Sequence, residues 1–248
     1  PTNVLETGYD ILFFWVARMI LMSTYLTGQI PFSDVFLHGL VRDENKQKMS
    51  KSKGNVIDPV DVIAKYGTDA VRFALIFSTA GGNDISMSDD KIRGMRNFTN
   101  KLWNLGRFIE FKKTMNTTLA DNFIAFSDLG ENEYNDLARK YLTELKELIN
   151  GVTTNIAKYE FNLAADKLYH FIWHSFADIY IEQLFKNEIT DTGINDQNSQ
   201  KYYDLLINSY RIMLELLHPF MPFITEELWQ KLPHQGESIM ISAWPTTK

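Results

Sequence analysis

The chain has 248 residues, of which 45% are hydrophobic and 13% aromatic, with a formal net charge of −6 at pH 7. That apolar content suits one or two packed domains. The absence of cysteine excludes a disulfide framework and a thiolate metal site, and it fits a reducing, cytoplasmic setting. The charge is uneven: residues 1–113 carry 15 Lys and Arg against 12 Asp and Glu, and residues 114–248 carry 10 against 19. An acidic second half argues against broad non-specific binding to nucleic acid, yet allows a local basic face.

Asn3 to Glu6 is a short extended segment. Gly8 separates it from Tyr9–Thr27, an apolar run of helical length that Gly28 and Pro31 end. Its longest uninterrupted apolar stretch, Ile11 to Ala17, is cut by Arg18 and is too short for a bilayer, so no membrane role is expected. The opening PTNVLETGYD also lacks the pattern of a signal peptide. Ser33–Val41 is apolar at Val35, Leu37, Leu40 and Val41, which predicts a buried strand. The start of the chain therefore predicts a β-α-β unit with a parallel sheet.

The basic stretch QKMSKSKGNVIDP, residues 47–59, is expected to follow that strand directly. Ligands of open α/β sheets lie beyond the carboxyl ends of the strands, which places its lysines where a phosphate would be met. Asp58 and Pro59 predict a helix start, with the helix stopping at Gly67. Thr68 or Asp69 is expected to cap the next helix, which reaches about Ser78. Residues 79–84, TAGGND, form a loop. Ser88 caps a further helix with Asp89 and Asp90 in its first turn, running past Phe111.

Three apolar stripes at helical spacing follow. They are Leu137, Tyr141, Leu145, Leu148 and Val152; then Leu168, Phe171, Ile172, Phe176 and Ile179; then Tyr203, Ile207, Tyr210, Leu214 and Leu217. Residues 191–200 look like a polar connector. Pro222 suits the first turn of a last helix that ends before Pro233. Short loops between such helices predict a bundle. A boundary is expected within 90–115.

KMSKS (Lys48–Ser52), GNVIDP and YGTDAVRF (66–73) together resemble the second signature region of class I aminoacyl-tRNA synthetases. TGYDILFFWVARM (7–19) and RNFTNKLWNLGRF (96–108) resemble the valine-specific branch of that family. HPFMPFITEELW (218–229) is similar to a stretch shared by the valine, isoleucine and leucine branches. The resemblance implies an α/β partial nucleotide-binding, Rossmann-like half-domain followed by an all-α anticodon-binding bundle. Residues 1–90 would be the second half of the catalytic domain with its lysine loop and connecting region, and residues 91–248 the bundle. The family's His-x-Gly-His signature and editing insert have no counterpart here. The chain is therefore expected to be a C-terminal portion of a longer enzyme, inactive alone.

The resemblance assigns Lys48 and Lys51 to the triphosphate of ATP, where ammonium groups stabilise charge moving onto the leaving pyrophosphate. Met49, Ser50 and Ser52 belong to the same loop; either serine can hydrogen-bond phosphate or fix the loop. By pattern alone, Gly8 and Asp10 read as a turn and a helix cap; by resemblance they meet the ribose. Trp15 is a core residue by pattern and a wall of the valine pocket by resemblance. His38 is structural by pattern, while the resemblance puts His38, Gly39 and Val41 beside adenine. No residues have metal-ligand spacing, so no protein-bound metal is expected, and magnesium would arrive with ATP. The implied partners are valine tRNA, ATP and valine, with no obligatory protein partner. Two alternatives stay open: an isoleucyl- or leucyl-type fragment, and a non-catalytic module that binds tRNA or a protein partner.

Overall fold

The structure is a computed structural model that describes residues 1–43, 45–50, 52, 54–77, 79–130, 133–189 and 197–247. Strands β1 (Thr2–Gly8) and β2 (Phe32–His38) pair in parallel, from Thr2 opposite Phe32 to Gly8 opposite His38. The crossover between them starts with a 3-10 turn (Tyr9–Ile11) and a π-helical stretch (Leu12–Val16), then becomes α1 (Ala17–Thr27). Gly28 ends it at φ 70°, a left-handed conformation that suits glycine, and donates its N–H to the Thr24 carbonyl at 3.0 Å. By length and composition alone, Tyr9–Thr27 would suffice to cross a membrane. Here it closes a β-α-β unit and exposes Phe13, Leu21, Tyr25 and Leu26.

The strand expected over 33–41 is divided. β2 stops at His38, and β3 (Val41–Arg42) leaves it to pair in parallel with β4 (Ile85–Ser86). Gly39 is the reason. Its backbone passes so close to that of Asn83 that a Cβ would lie 1.8 Å from the Asn83 carbonyl oxygen. The lysine loop therefore follows β3 and not β2.

Helix α2 (Pro59–Tyr66) starts as its sequence dictates: Asp58 accepts the Val60 N–H at 2.8 Å, and Pro59 occupies the first position. Gly67, at φ 90°, turns the chain into α3 (Thr68–Ile76). Neither Thr68 nor Asp69 caps that helix, because Thr68 lies inside it and Asp69 is engaged elsewhere. Ser88 accepts the Lys91 N–H at 3.2 Å and opens α4 (Asp89–Met115). Its 27 residues span about 40 Å at 1.5 Å per residue, without a break in the region where a boundary was expected.

The remaining helices are α5 (Asp136–Ala157), α6 (Phe161–His170), a π-helical continuation (Phe171–Phe185), α7 (Lys186–Glu188), α8 (Gln197–Leu217) and α9 (Pro222–Trp229). Residues 190–196 lie outside the described residues. The rest of the expected connector, 197–200, is the first turn of α8. One apolar core runs from Tyr66 through α3 and α4 to Ile239, so α2 and α3 pack with the helical half. The stripes on α5 and on α6 with its π-helical continuation face this core, except that Ile179 is exposed.

Helix α8 departs from the expected single buried stripe, since every residue from Tyr202 to Leu217 is buried. Several of its polar side chains are covered by the irregular segment 119–125. Gln200 accepts the Ala120 N–H at 2.8 Å and donates to the Ala120 carbonyl at 2.9 Å. Asn208 accepts the Ile124 N–H at 2.9 Å and donates to the Asn122 carbonyl at 2.8 Å. Arg211 donates to the Ile124 carbonyl at 2.9 Å and to Glu215 at 2.8 Å. These side chains stand in for the second strand that the segment lacks. Asn208→Ala is expected to lower stability by about 2 kcal/mol, because it leaves the part-buried Ile124 N–H and Asn122 carbonyl without their side-chain partner. Urea unfolding checks this, and a loss below about 1 kcal/mol would return the segment to a loosely laid loop.

Candidate functional site

The site lies where β1, β2 and β3 end. Gly8 closes β1, and a Cβ there would lie 2.8 Å from Asp10 Oδ1 and 3.5 Å from His38 Cε1. Lys48 reaches this corner, with its Nζ 3.9 Å from Asp10 Oδ2. Both side chains are largely exposed, so the pair is worth at most about 1 kcal/mol and yields readily to a stronger anion. His38 stands between Glu6, at 3.3 Å from Nε2, and the Gly39 carbonyl, at 2.8 Å from Nδ1. His38, Gly39 and Val41 line one cavity of about 380 Å³, which Leu75, Tyr159 and Phe161 also line.

The structure thus brings together Gly8, Asp10, His38 and Lys48, with Gly39 and Val41 adjoining. Trp15 makes no hydrogen bond or ring contact with this group among the described residues, and it is 45% exposed beside Phe13 and Phe14. Lys51 and Lys53 lie outside the described residues.

Three residues that were given no role in the sequence build the site. Asp84 is the first. It accepts the Leu40 N–H at 2.8 Å, the Tyr9 hydroxyl at 3.2 Å and the Arg42 guanidinium. One carboxylate therefore holds the start of the crossover helix and β3 in register with β4. The Leu40 N–H and then Arg42 lower its pKa below the usual carboxylate range. Asp43 is the second, accepting the N–H groups of Asn45 at 3.0 Å and Gln47 at 2.8 Å to turn the chain back toward Lys48. Asn55 is the third. It accepts the Ser50 N–H at 2.9 Å and donates to Asp43 at 2.8 Å, which closes the lysine loop from below. Ser50 and Ser52 meet at 3.0 Å between their hydroxyls, and Met49 is half-buried. Chemically, the arrangement offers exposed ammonium and hydroxyl groups on a braced loop, opposite a carboxylate and a close-approach glycine. It suits a polyphosphate attached to a sugar.

The stability that Asp84 contributes is pH-dependent. Its folded pKa lies below its unfolded value, so the contribution is complete above the unfolded value and is lost as pH falls through the folded one. The gap in urea midpoint between the unaltered chain and Asp84→Asn should be full at neutral pH and should close as pH falls below about 4. A gap of equal size at both ends would assign Asp84 a role of shape alone.

Residues 1–88 match the family described as tRNA synthetases class I (I, L, M and V), and residues 138–248 match the anticodon-binding domain of tRNA ligase. The valine–tRNA ligase of Bacillus thuringiensis subsp. konkukian (strain 97-27) is 46% identical over 248 residues, all of this chain and 27% of that protein. The valine–tRNA ligase of Listeria innocua serovar 6a is 44% identical over 99% of this chain and 27% of its own length. The chain therefore spans about a quarter of the relatives it matches. Among solved structures, the LeuRS of Agrobacterium radiobacter K84, in a ternary complex with tRNA and LeuAMS, superposes with a TM-score of 0.76 at 24% identity, over 99% of this chain and 28% of that one. Mycobacterium tuberculosis methionyl-tRNA synthetase in complex with methionyl-adenylate gives 0.70 at 24% identity, over 92% and 43%. These two likenesses speak for the fold.

Proposed function

The chain belongs to the class I tRNA synthetases, and from that premise we propose that the protein it comes from activates valine with ATP and charges valine tRNA. The observation that carries this is the convergence of Lys48 on Asp10, Gly8 and His38 at the strand ends. Identity of 44–46% to valine–tRNA ligases along the chain supports valine over isoleucine or leucine.

In this reading, a valine carboxylate oxygen attacks the α-phosphorus of ATP, the α–β phosphoanhydride bond breaks, and pyrophosphate leaves. Lys48 and Lys51 neutralise the charge that gathers on the departing oxygens. That charge is larger in the transition state than in bound ATP, so the gain falls on the rate. Ser50 and Ser52 hydrogen-bond the phosphates, and Met49 anchors the loop. Asp10 accepts from the ribose hydroxyls beside Gly8, while His38, Gly39 and Val41 flank adenine. Trp15 forms an apolar wall of the valine pocket. Magnesium accompanies ATP as a complex. A terminal hydroxyl of valine tRNA then attacks the activated carbonyl and AMP departs. Residues 1–90 serve the chemistry and residues 91–248 hold the tRNA, in the cytoplasm where translation runs.

The test uses the protein as its gene encodes it. Valine-dependent exchange of pyrophosphate into ATP is expected. Lys51→Ala should slow it about a hundredfold, the usual cost of one preorganised contact to transition-state charge. Valine binding should change little. Absence of valine-dependent exchange, or an unaltered rate in the variant, would overturn this assignment.

A further inference from the structure

Two runs singled out in the sequence carry none of the residues assigned above to ATP or valine: YGTDAVRF (66–73) and HPFMPFITEELW (218–229). The structure clamps one onto the other. Asp69, in the first turn of α3 and only 5% exposed, accepts the N–H of Phe223 at 3.3 Å and that of Ile224 at 2.6 Å. These are first-turn donors of α9, which have no partner within their own helix. Arg72, one turn along α3, donates from Nε to the Phe220 carbonyl and from Nη2 to the Pro219 carbonyl, both at 3.3 Å. A third run joins them, because the Phe73 ring stacks on Phe98 with centroids 5.4 Å apart and meets Phe220 edge-on at 6.3 Å.

Apolar packing between helices tolerates sliding, whereas a buried carboxylate with two fixed donors does not. The joint therefore fixes α3 against the α8–α9 turn in direction as well as distance. From α3 the chain runs through Gly67 and the eight residues of α2 to Asn55, which holds the Ser50 N–H of the lysine loop. Lys65 on α2 is tied to Asp89 at the head of α4, at 2.6 Å.

We propose that Asp69 and Arg72 are positioning residues that couple the helical half to the lysine loop, so that RNA seated on the helices finds the loop correctly placed. This rests on the function proposed above. Asp69→Asn keeps the shape but removes the charge, and Arg72→Met removes the donors. In the protein as its gene encodes it, both should leave valine-dependent pyrophosphate exchange without tRNA within about twofold, yet lower kcat/KM for tRNA charging about tenfold or more. The double variant should lose little beyond either single one, as befits one joint. Arg72→Lys, which keeps the cation and one donor, should show the same split at smaller amplitude. It decides the matter if Asp69→Asn does not fold. Exchange and charging falling together, or neither falling, would overturn the coupling while the function stands. Absence of exchange in the unaltered protein would overturn both.

Discussion

A helix buried on every side imposes a strict condition on its neighbours. Each polar side chain along it must find a partner inside the protein, because an unpaired buried group costs about as much as a lost hydrogen bond or more. Helix α8 meets most of that demand with Gln200, Asp204, Asn208 and Arg211 turned toward one segment, and with Glu215 taking the indole N–H of Trp229 at 3.1 Å; among the described residues Ser209 Oγ and Arg211 Nε are left without a hydrogen bond. Burial raises the Glu215 pKa, while Arg211 beside it pulls the other way. The helices that pack around α8 are thereby set in place. The turn at its end presents Pro219 and Phe220 to α3, and through α3 the helical half meets the part of the chain that carries the lysines.

The half that carries the lysine loop depends on a different device. Its two sheets have two strands each, and so little backbone pairing that side chains must supply the rest. Asp84, Asp43 and Asn55 do so by accepting backbone N–H groups that no strand neighbour reaches. The result is a loop whose base is held by short, stiff side chains and whose exposed groups are long and flexible. That division of labour lets a cation move to an anion without moving its support.

Local chemistry was legible in the sequence. The caps at Asp58 and Ser88, the stop at Gly28 and the parallel β-α-β start all follow from neighbours a few residues apart. Long-range pairing was not. Asp69 in a first turn looks like a cap for its own helix, and nothing nearby reveals donors more than 150 residues away. Asp204, Asn208 and Arg211 look like a solvated face, because their helical spacing is the same whether water or a strap covers them. Of the site, the lysine loop was placed at a phosphate by its position after a strand, while Gly8, Asp10 and His38 were given a ligand only through the family resemblance. Asp84, in a Gly-Gly-Asn-Asp turn, carried no signal beyond that of a loop.

The strap over α8 has a consequence for how the protein changes through evolution. Helix α8 grips it mostly by main-chain atoms, the N–H and C=O of Ala120, the C=O of Asn122 and the N–H and C=O of Ile124. Main-chain atoms are the same in every residue but proline. Strap positions that meet α8 through the main chain alone, such as Ala120, are therefore freer to drift than those of α8 opposite them, whereas Asp121 and Asn122 also engage Tyr203 and Asp204 through their side chains.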